Sequence, residues 1–351
     1  MTVAHVIGEQ SVGEAGISEE RALSMYEDMV RARRFDERAI LLQRRGWMSG
    51  YPPFKGQEAS QVGAAHAMGA DDWLFPTYRS NAMQFARGVP MRDILAFRRG
   101  VPEYASDHDV PNFPQAIPIA TQIPHAAGAG MATNYMDEDH AILCYFGDGA
   151  TSEGDFHEGL NFAGVFEAPV VFFCENNNWA ISHPRKKQTA SATIAQKATA
   201  YGFEGRRVDG NDPIAVYTAV SEALADARET GPVLIESLTY RHGAHTTSDD
   251  PSRYREEGDE GLPDWRTVDP LDRYEEYLRE QGLLDDDDIE AAREAADDEI
   301  DAAIDRAEAI VEENSDPLDL FEHAYATLPP PLREQRAWLD SFVDEHEGIG
   351  D

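Results

Sequence analysis

Asp148 sits between two glycines, in Gly147-Asp148-Gly149, and a pair of asparagines, Asn176-Asn177, follows it farther along the chain. A carboxylate and an amide oxygen are two hard oxygen donors, too few to cage a bare metal ion. They suit magnesium, which keeps octahedral oxygen coordination and shares it with phosphates. A glycine turn lets backbone come close to a ligand. Free N–H groups at the start of a helix attract the same anion. These residue types read as part of a metal–diphosphate site. Another polar run, Arg241-His242-Gly243-Ala244-His245-Thr246-Thr247-Ser248-Asp249-Asp250, holds two histidines, side chains of ordinarily near-neutral pKa that by residue type alone read as solvent-exposed loop residues.

The elements around Asp148 and Asn177 must bring them together. Residues 141–146 are an unbroken apolar run, read as a buried parallel strand. Thr151 and Ser152 are expected N-caps for a helix over 153–167. A second buried strand over 170–174 ends at Glu175-Asn176-Asn177. Strand, turn, helix and strand make a βαβ unit whose strands end on one edge of the sheet. Asp148 and Asn177, 29 positions apart, then meet in space.

Elsewhere the pattern predicts a loose tail over 1–17. A helix follows from N-cap Ser18 to about 45, with Leu23, Tyr26, Val30 and Ala39 on one face. A glycine- and proline-rich loop over 46–56 precedes helices from 57, over 79–87, 90–99 and 123–136. Further helices are expected over 193–201 and 213–229, and strands over 205–208 and 233–239. A polar loop over 241–263 has a length that in compact domains goes with function or disorder. Three C-terminal helices are expected over 270–281, 285–314 and 332–346. The fold class is α/β, a doubly wound, mostly parallel sheet with N- and C-terminal helical extensions. The expected division is a tail 1–17, an α/β domain 18–265 and a C-terminal helical region 266–351.

The glycine–aspartate–glycine turn followed by the paired asparagines resembles the thiamine diphosphate motif. The run from Gly147 to Gly159 resembles the alpha subunit of the heterotetrameric 2-oxoacid dehydrogenases, and the resemblance extends from about Ser18 to about Glu345. It implies that Asp148, Asn177 and the backbone carbonyl of Trp179 ligate Mg2+. It implies that Tyr78 and Arg79 grip the diphosphate, as a phenol and a guanidinium can, beside Gly149 and Ala150. Ile117 and Ile119 match positions against the aminopyrimidine, and His245 matches the catalytic histidine. Pro118, Thr121 and Gln122 match a potassium site of some members, although Ala116 stands where those members carry serine.

The same resemblance implies oxidative decarboxylation of a 2-oxoacid and transfer of the acyl unit to a lipoyl group on a separate acyltransferase. The glutamate that activates the pyrimidine belongs to a beta subunit in that family, and no matching segment occurs here. An α2β2 heterotetramer is therefore implied. Lys55-Gly56-Gln57-Glu58-Ala59-Ser60-Gln61 and Val208-Asp209-Gly210 resemble bacterial pyruvate dehydrogenase alpha subunits, so pyruvate is the expected substrate. A branched-chain 2-oxoacid and acetoin are the alternatives. Glu175 stands where some branched-chain members carry a diphosphate-binding arginine.

Two readings from other classes remain open at this level. A nicotinamide-binding Rossmann dehydrogenase also uses strand, glycine turn, helix and strand, but its fingerprint needs a third glycine where this chain has Ser152. An inactive binding paralogue on the same fold is the other, since a fold does not fix a function.

Composition bounds the remainder. The net charge of −36, with 66 acidic against 30 basic residues, opposes binding to nucleic acid or anionic membranes. Such a surface suits high intracellular salt, which screens self-repulsion, and a halophilic host is expected. No apolar run is long enough to span a bilayer, and no basic-then-apolar leader opens the chain. Cys144 and Cys174 fall in expected buried strands, as core thiols in a reducing cytoplasm.

Overall fold

The computed structural model describes residues 1–103, 108–115, 117–255, 261–314, 316–322 and 324–345. Its centre is a five-stranded, all-parallel sheet. In chain order the strands are β1 (Trp73–Phe75), β2 (Ile142–Gly147), β3 (Val170–Asn176), then β6 (Glu204–Asp209) and β7 (Val233–Leu238). Between them in sequence, β4 (Trp179–Ala180) and β5 (His183–Pro184) form a small separate hairpin. The sheet order is β1-β2-β3-β7-β6.

Strand alternation puts successive side chains on opposite faces, and both faces are buried. Leu143, Tyr145, Val171, Phe173 and Ile235 enter one apolar cluster with residues of α1 (Glu19–Arg44), α2 (Glu58–Ala67) and α7 (Pro213–Thr230). Ile142, Cys144, Phe146, Val170, Phe172 and Cys174 enter a second cluster with α5 (Gln122–Met136) and α6 (Gly154–Val165). This two-sided burial explains the unbroken apolar runs and makes the sheet doubly wound. Both cysteines are buried, and burial pushes both thiol pKa values up.

Ser18 caps α1 by accepting from the Arg21 backbone N–H at 3.2 Å, as its position predicts. Short helices α3 (Asn81–Ala86) and α4 (Met91–Arg98) follow β1. The C-terminal helices are α8 (Asp264–Thr267), α9 (Pro270–Glu280), α10 (Asp286–Glu313) and α11 (Pro330–Glu345). The expected last residue of the final helix, His346, lies outside the described residues. Asp285 closes a capping box with Asp288 at the start of α10, which is a structural use for that acidic run.

Two local expectations change. The first seventeen residues are not a loose tail. Ala4 bridges to Val208 beside β6, and Val6, Val12 and Ile17 are buried. Asp212 holds them: its carboxylate accepts the N–H groups of Val6 and Ile7, each at 2.7 Å, and also caps α7. Thr151 and Ser152 do not cap α6. They belong to a 3-10 turn over Asp148–Ser152, where their hydroxyls donate to the Asp148 and Gly149 carbonyls. Competing local bonds of this kind are what short hydroxyl side chains offer. Strand β1, three residues long, and the β4–β5 hairpin carry too few residues to show a period, and neither was expected.

Candidate active site

Parallel pairing sets Gly147 opposite Glu175 at the ends of β2 and β3. The chain leaves β2 through Asp148 and leaves β3 through Asn177, so both side chains open onto one edge of the sheet. That edge walls a cavity of about 370 Å³. Tyr78, Arg79, Ile119, Asp148, Gly149, Ala150, Asn177, Trp179 and His245 line it. Ile117 does not; its side chain is exposed on the same turn. Of the potassium residues, Pro118 and Gln122 line the cavity and Thr121 does not. Thr121 instead donates from its hydroxyl to the Pro118 carbonyl at 3.1 Å. Ala116 lies outside the described residues.

The Asp148 carboxylate is 1% exposed, and neither oxygen has a hydrogen-bond partner elsewhere among the described residues. Burial pushes its pKa up to about 6, while the positive charges of Arg266, Arg241 and Arg185 act against that rise. A buried carboxylate without partners costs free energy unless a cation or proton meets it. The Asn177 amide is fixed: its Nδ2 donates to Gln57 Oε1 at 2.9 Å, and its Oδ1 accepts from the Trp179 N–H at 3.1 Å. With the donor end held by Gln57, one lone pair of Oδ1 stays available. Gly149 packs so closely on the β4 hairpin that an added Cβ would lie 2.9 Å from the Ala180 Cβ. A side chain there would push the turn away from Ala180. Glu175, also in the wall, accepts from the Tyr145 hydroxyl, and burial pushes its pKa up to about 8.

His245 departs from the near-neutral expectation. Arg79 Nη2 donates to its Nδ1 at 2.9 Å, and Arg241 Nη1 approaches the same atom at 3.3 Å. A guanidinium only donates, so Nδ1 accepts and the ring proton resides on Nε2. Burial and these two cations bring the pKa down to about 3. The imidazole is thus a neutral donor at Nε2.

Sequence reasoning missed Gln57, Arg241 and Arg266 as site residues. Gln57 and Arg241 stand in runs already singled out, but their roles depend on contacts across 120 and 4 positions respectively. Arg266 is buried, and its guanidinium donates to the carbonyls of Thr239 and Asn176. Nothing in its local sequence marks it.

Residues 26–315 match the family described as the dehydrogenase E1 component. The chain belongs to that family. It is 44% identical over 334 residues to the 3-methyl-2-oxobutanoate dehydrogenase subunit alpha of Mycobacterium tuberculosis, covering 92% of this chain and 88% of the relative. It is 38% identical over 338 residues to the pyruvate dehydrogenase E1 component subunit alpha of Staphylococcus aureus, covering 94% of this chain and 89% of the relative. The corresponding Staphylococcus epidermidis subunit matches to the same extent. This E1 component is the alpha subunit of a thiamine diphosphate-dependent 2-oxoacid dehydrogenase, an oxidoreductase. The nicotinamide-dehydrogenase alternative falls with that assignment. No helix among the described residues is long and apolar enough to cross a membrane.

Proposed function

We propose that this alpha subunit holds the Mg2+–diphosphate end of thiamine diphosphate in the 370 Å³ cavity and works on a short 2-oxoacid with a beta subunit. The observation that carries the reading is the Asp148 carboxylate, buried in the cavity wall with neither oxygen bonded to another of the described residues. Among the described residues no group of three or more His, Cys, Asp or Glu side chains could hold a metal. A metal at Asp148 must complete its shell with the Asn177 Oδ1, backbone and ligand phosphate, which is magnesium chemistry.

Bound there, thiamine diphosphate supplies the electron sink that decarboxylation of a 2-oxoacid requires. The chain's own residues bind and orient it. Asp148, Asn177 and the Trp179 carbonyl hold the metal, and Tyr78 and Arg79 meet the diphosphate oxygens. Gly149 and Ala150 keep the turn low. Ile119, at the rim, shields the ring end, with Ile117 beside it on the exposed turn. His245 offers its Nε2–H to an oxygen of the reacting group or the incoming lipoyl arm, a preorganised donor rather than a base. Pro118 and Gln122 are the candidates for a potassium contact, with the Gln122 Oε1 buried and without a hydrogen-bond partner among the described residues.

The functional assembly is an α2β2 heterotetramer serving a lipoyl-bearing acyltransferase in the cytoplasm. Pyruvate is the first substrate to assay, from the resemblance of the 55–61 run. A branched-chain substrate is the second reading, favoured by the 44% identical relative named for 3-methyl-2-oxobutanoate. The test is co-expression with the beta subunit and 2-oxoacid-dependent dye reduction with Mg2+ and thiamine diphosphate. Turnover of one acid and not the other decides the substrate. Cofactor binding without turnover of any 2-oxoacid would return the inactive-paralogue reading.

A further inference from the structure

Segment 51–57 is bonded to Arg79, to Asn177 and to the chain on both sides of His245. The Pro53 carbonyl accepts from Arg79 Nη1. Gln57 Oε1 fixes the Asn177 amide at 2.9 Å. The Lys55 carbonyl accepts the His242 N–H at 3.0 Å. The Tyr51 carbonyl accepts the Thr247 N–H at 2.8 Å, and the Tyr51 N–H donates to Thr247 Oγ1 at 3.2 Å. Both flanks of His245 are therefore tied to this one segment. Its fit is tight: Gly56 has φ +94°, and a Cβ there would lie 2.3 Å from the Tyr240 carbonyl oxygen.

The segment has no regular secondary structure to fix its own shape. What it wraps around is one carboxylate from α1. Asp36, 1% exposed, accepts from the Tyr51 hydroxyl at 2.8 Å and the Phe54 N–H at 3.1 Å through Oδ1. Its Oδ2 accepts the Lys55 N–H at 3.1 Å. These bonds bracket Pro53 and stop two residues short of Gln57. Asp36 makes no ion pair among the described residues, and its hydrogen bonds go to this loop. Next to it Arg33 pairs with Glu58 at 2.7 Å and with Asp269 at 2.8 Å, fixing α1 against α2 and α9. The carboxylate is thus presented from a rigid base.

We propose that Asp36 is a positioning residue of this active site, acting through segment 51–57 to set Arg79, the Asn177 amide and both flanks of His245. The effect on cofactor rests on the thiamine diphosphate reading above; the effect on the loops does not.

The test is Asp36→Asn in the full chain co-expressed with its beta subunit. Asparagine keeps Oδ1 for Tyr51 and Phe54 but turns a donor toward the Lys55 N–H. Asp28→Asn is the control, on the same helix but ion-paired to Arg31 and His66 away from the cavity. Hydrogen exchange at residues 241–249 should quicken by about tenfold or more in Asp36→Asn and not in Asp28→Asn. Mg–thiamine diphosphate should bind about tenfold more weakly to Asp36→Asn, the usual effect of losing a bond to a buried charge. Should Asp36→Asn fail to fold, Tyr51→Phe, which deletes one of the bonds, should show a smaller loosening of 241–249. Unchanged exchange in the folded variant, or equal loosening in Asp28→Asn, overturns the proposal. Loosened loops in a complex whose unmodified form binds no thiamine diphosphate would uphold the positioning role and overturn the cofactor reading.

Discussion

Arg79 and His245 are joined through a single guanidinium nitrogen: Arg79 Nη2 donates to His245 Nδ1 at 2.9 Å and to the carbonyl of the same residue at 2.9 Å. One side chain thereby sets the ring's tautomer and the backbone that carries it. Orientation of an imidazole through the nitrogen it does not use is a general device.

This arrangement makes stability depend on acid. In the unfolded chain the histidine titrates near 6.5, whereas in the native state it is held down to about 3. Between those values the unfolded state binds the proton and the native state does not, so stability falls as pH drops from about 6.5 toward 3. His245→Gln should lose less stability over that window than the unmodified chain. Denaturant melts of the two proteins at several pH values check this, and parallel curves would contradict it.

Asp148→Ala should separate binding from folding. Removing a buried carboxylate that has no hydrogen-bond partner elsewhere among the described residues relieves a desolvation cost, so the cofactor-free variant should be more stable by about 1–2 kcal/mol. Magnesium-dependent binding of thiamine diphosphate should disappear in the same variant. Thermal melts with and without the two ligands measure both. A variant that still gains stability from magnesium and cofactor together would remove Asp148 from the metal site.

Asp212 gathers more backbone than any ordinary cap. Its carboxylate accepts from Val6 and Ile7 and from Ile214 and Ala215. Asp212→Ala should cost about 3 kcal/mol, the sum of a helix cap and charged hydrogen bonds. It should also release residues 1–17 to limited proteolysis before the rest of the chain. Resistance of that segment in the variant would show that the buried Val6, Val12 and Ile17 hold it unaided.

The charge of −36 bears on salt. Among the described residues ion pairs join α1 to α10, where Arg31 meets Glu299, Arg34 meets Asp297 and Arg38 meets Asp301. These pairs are half-exposed and weak, while repulsion among the remaining acids is long-ranged. Screening should therefore stabilise the fold, with a higher melting temperature in ~2 M than in ~10 mM potassium chloride. A melting temperature that fell or stayed level with salt would rule out the halophilic reading.

What was legible in the sequence follows from local rules. The buried strands were visible because a two-sided sheet demands uninterrupted apolar residues. The approach of Asp148 to Asn177 was visible because a βαβ unit puts successive strand ends on one edge. Ser18 was legible as a cap because the bond it makes reaches only three residues ahead. The N-terminal segment was misread because its anchor, Asp212, lies about two hundred positions away in the chain.

By itself the sequence determined four strands of the sheet, the turn that carries Asp148, and the residue types that can hold a metal and a diphosphate. Only the tertiary structure decided the state of those groups. His245 is a neutral donor because two arginines, one of them 166 positions away, converge on Nδ1. The Asn177 amide takes its orientation because Gln57 accepts from its nitrogen while its oxygen accepts the Trp179 N–H. Local sequence fixes backbone geometry over a few residues, whereas tautomer, amide orientation and the charge of a buried acid depend on which distant groups share its low-dielectric surroundings.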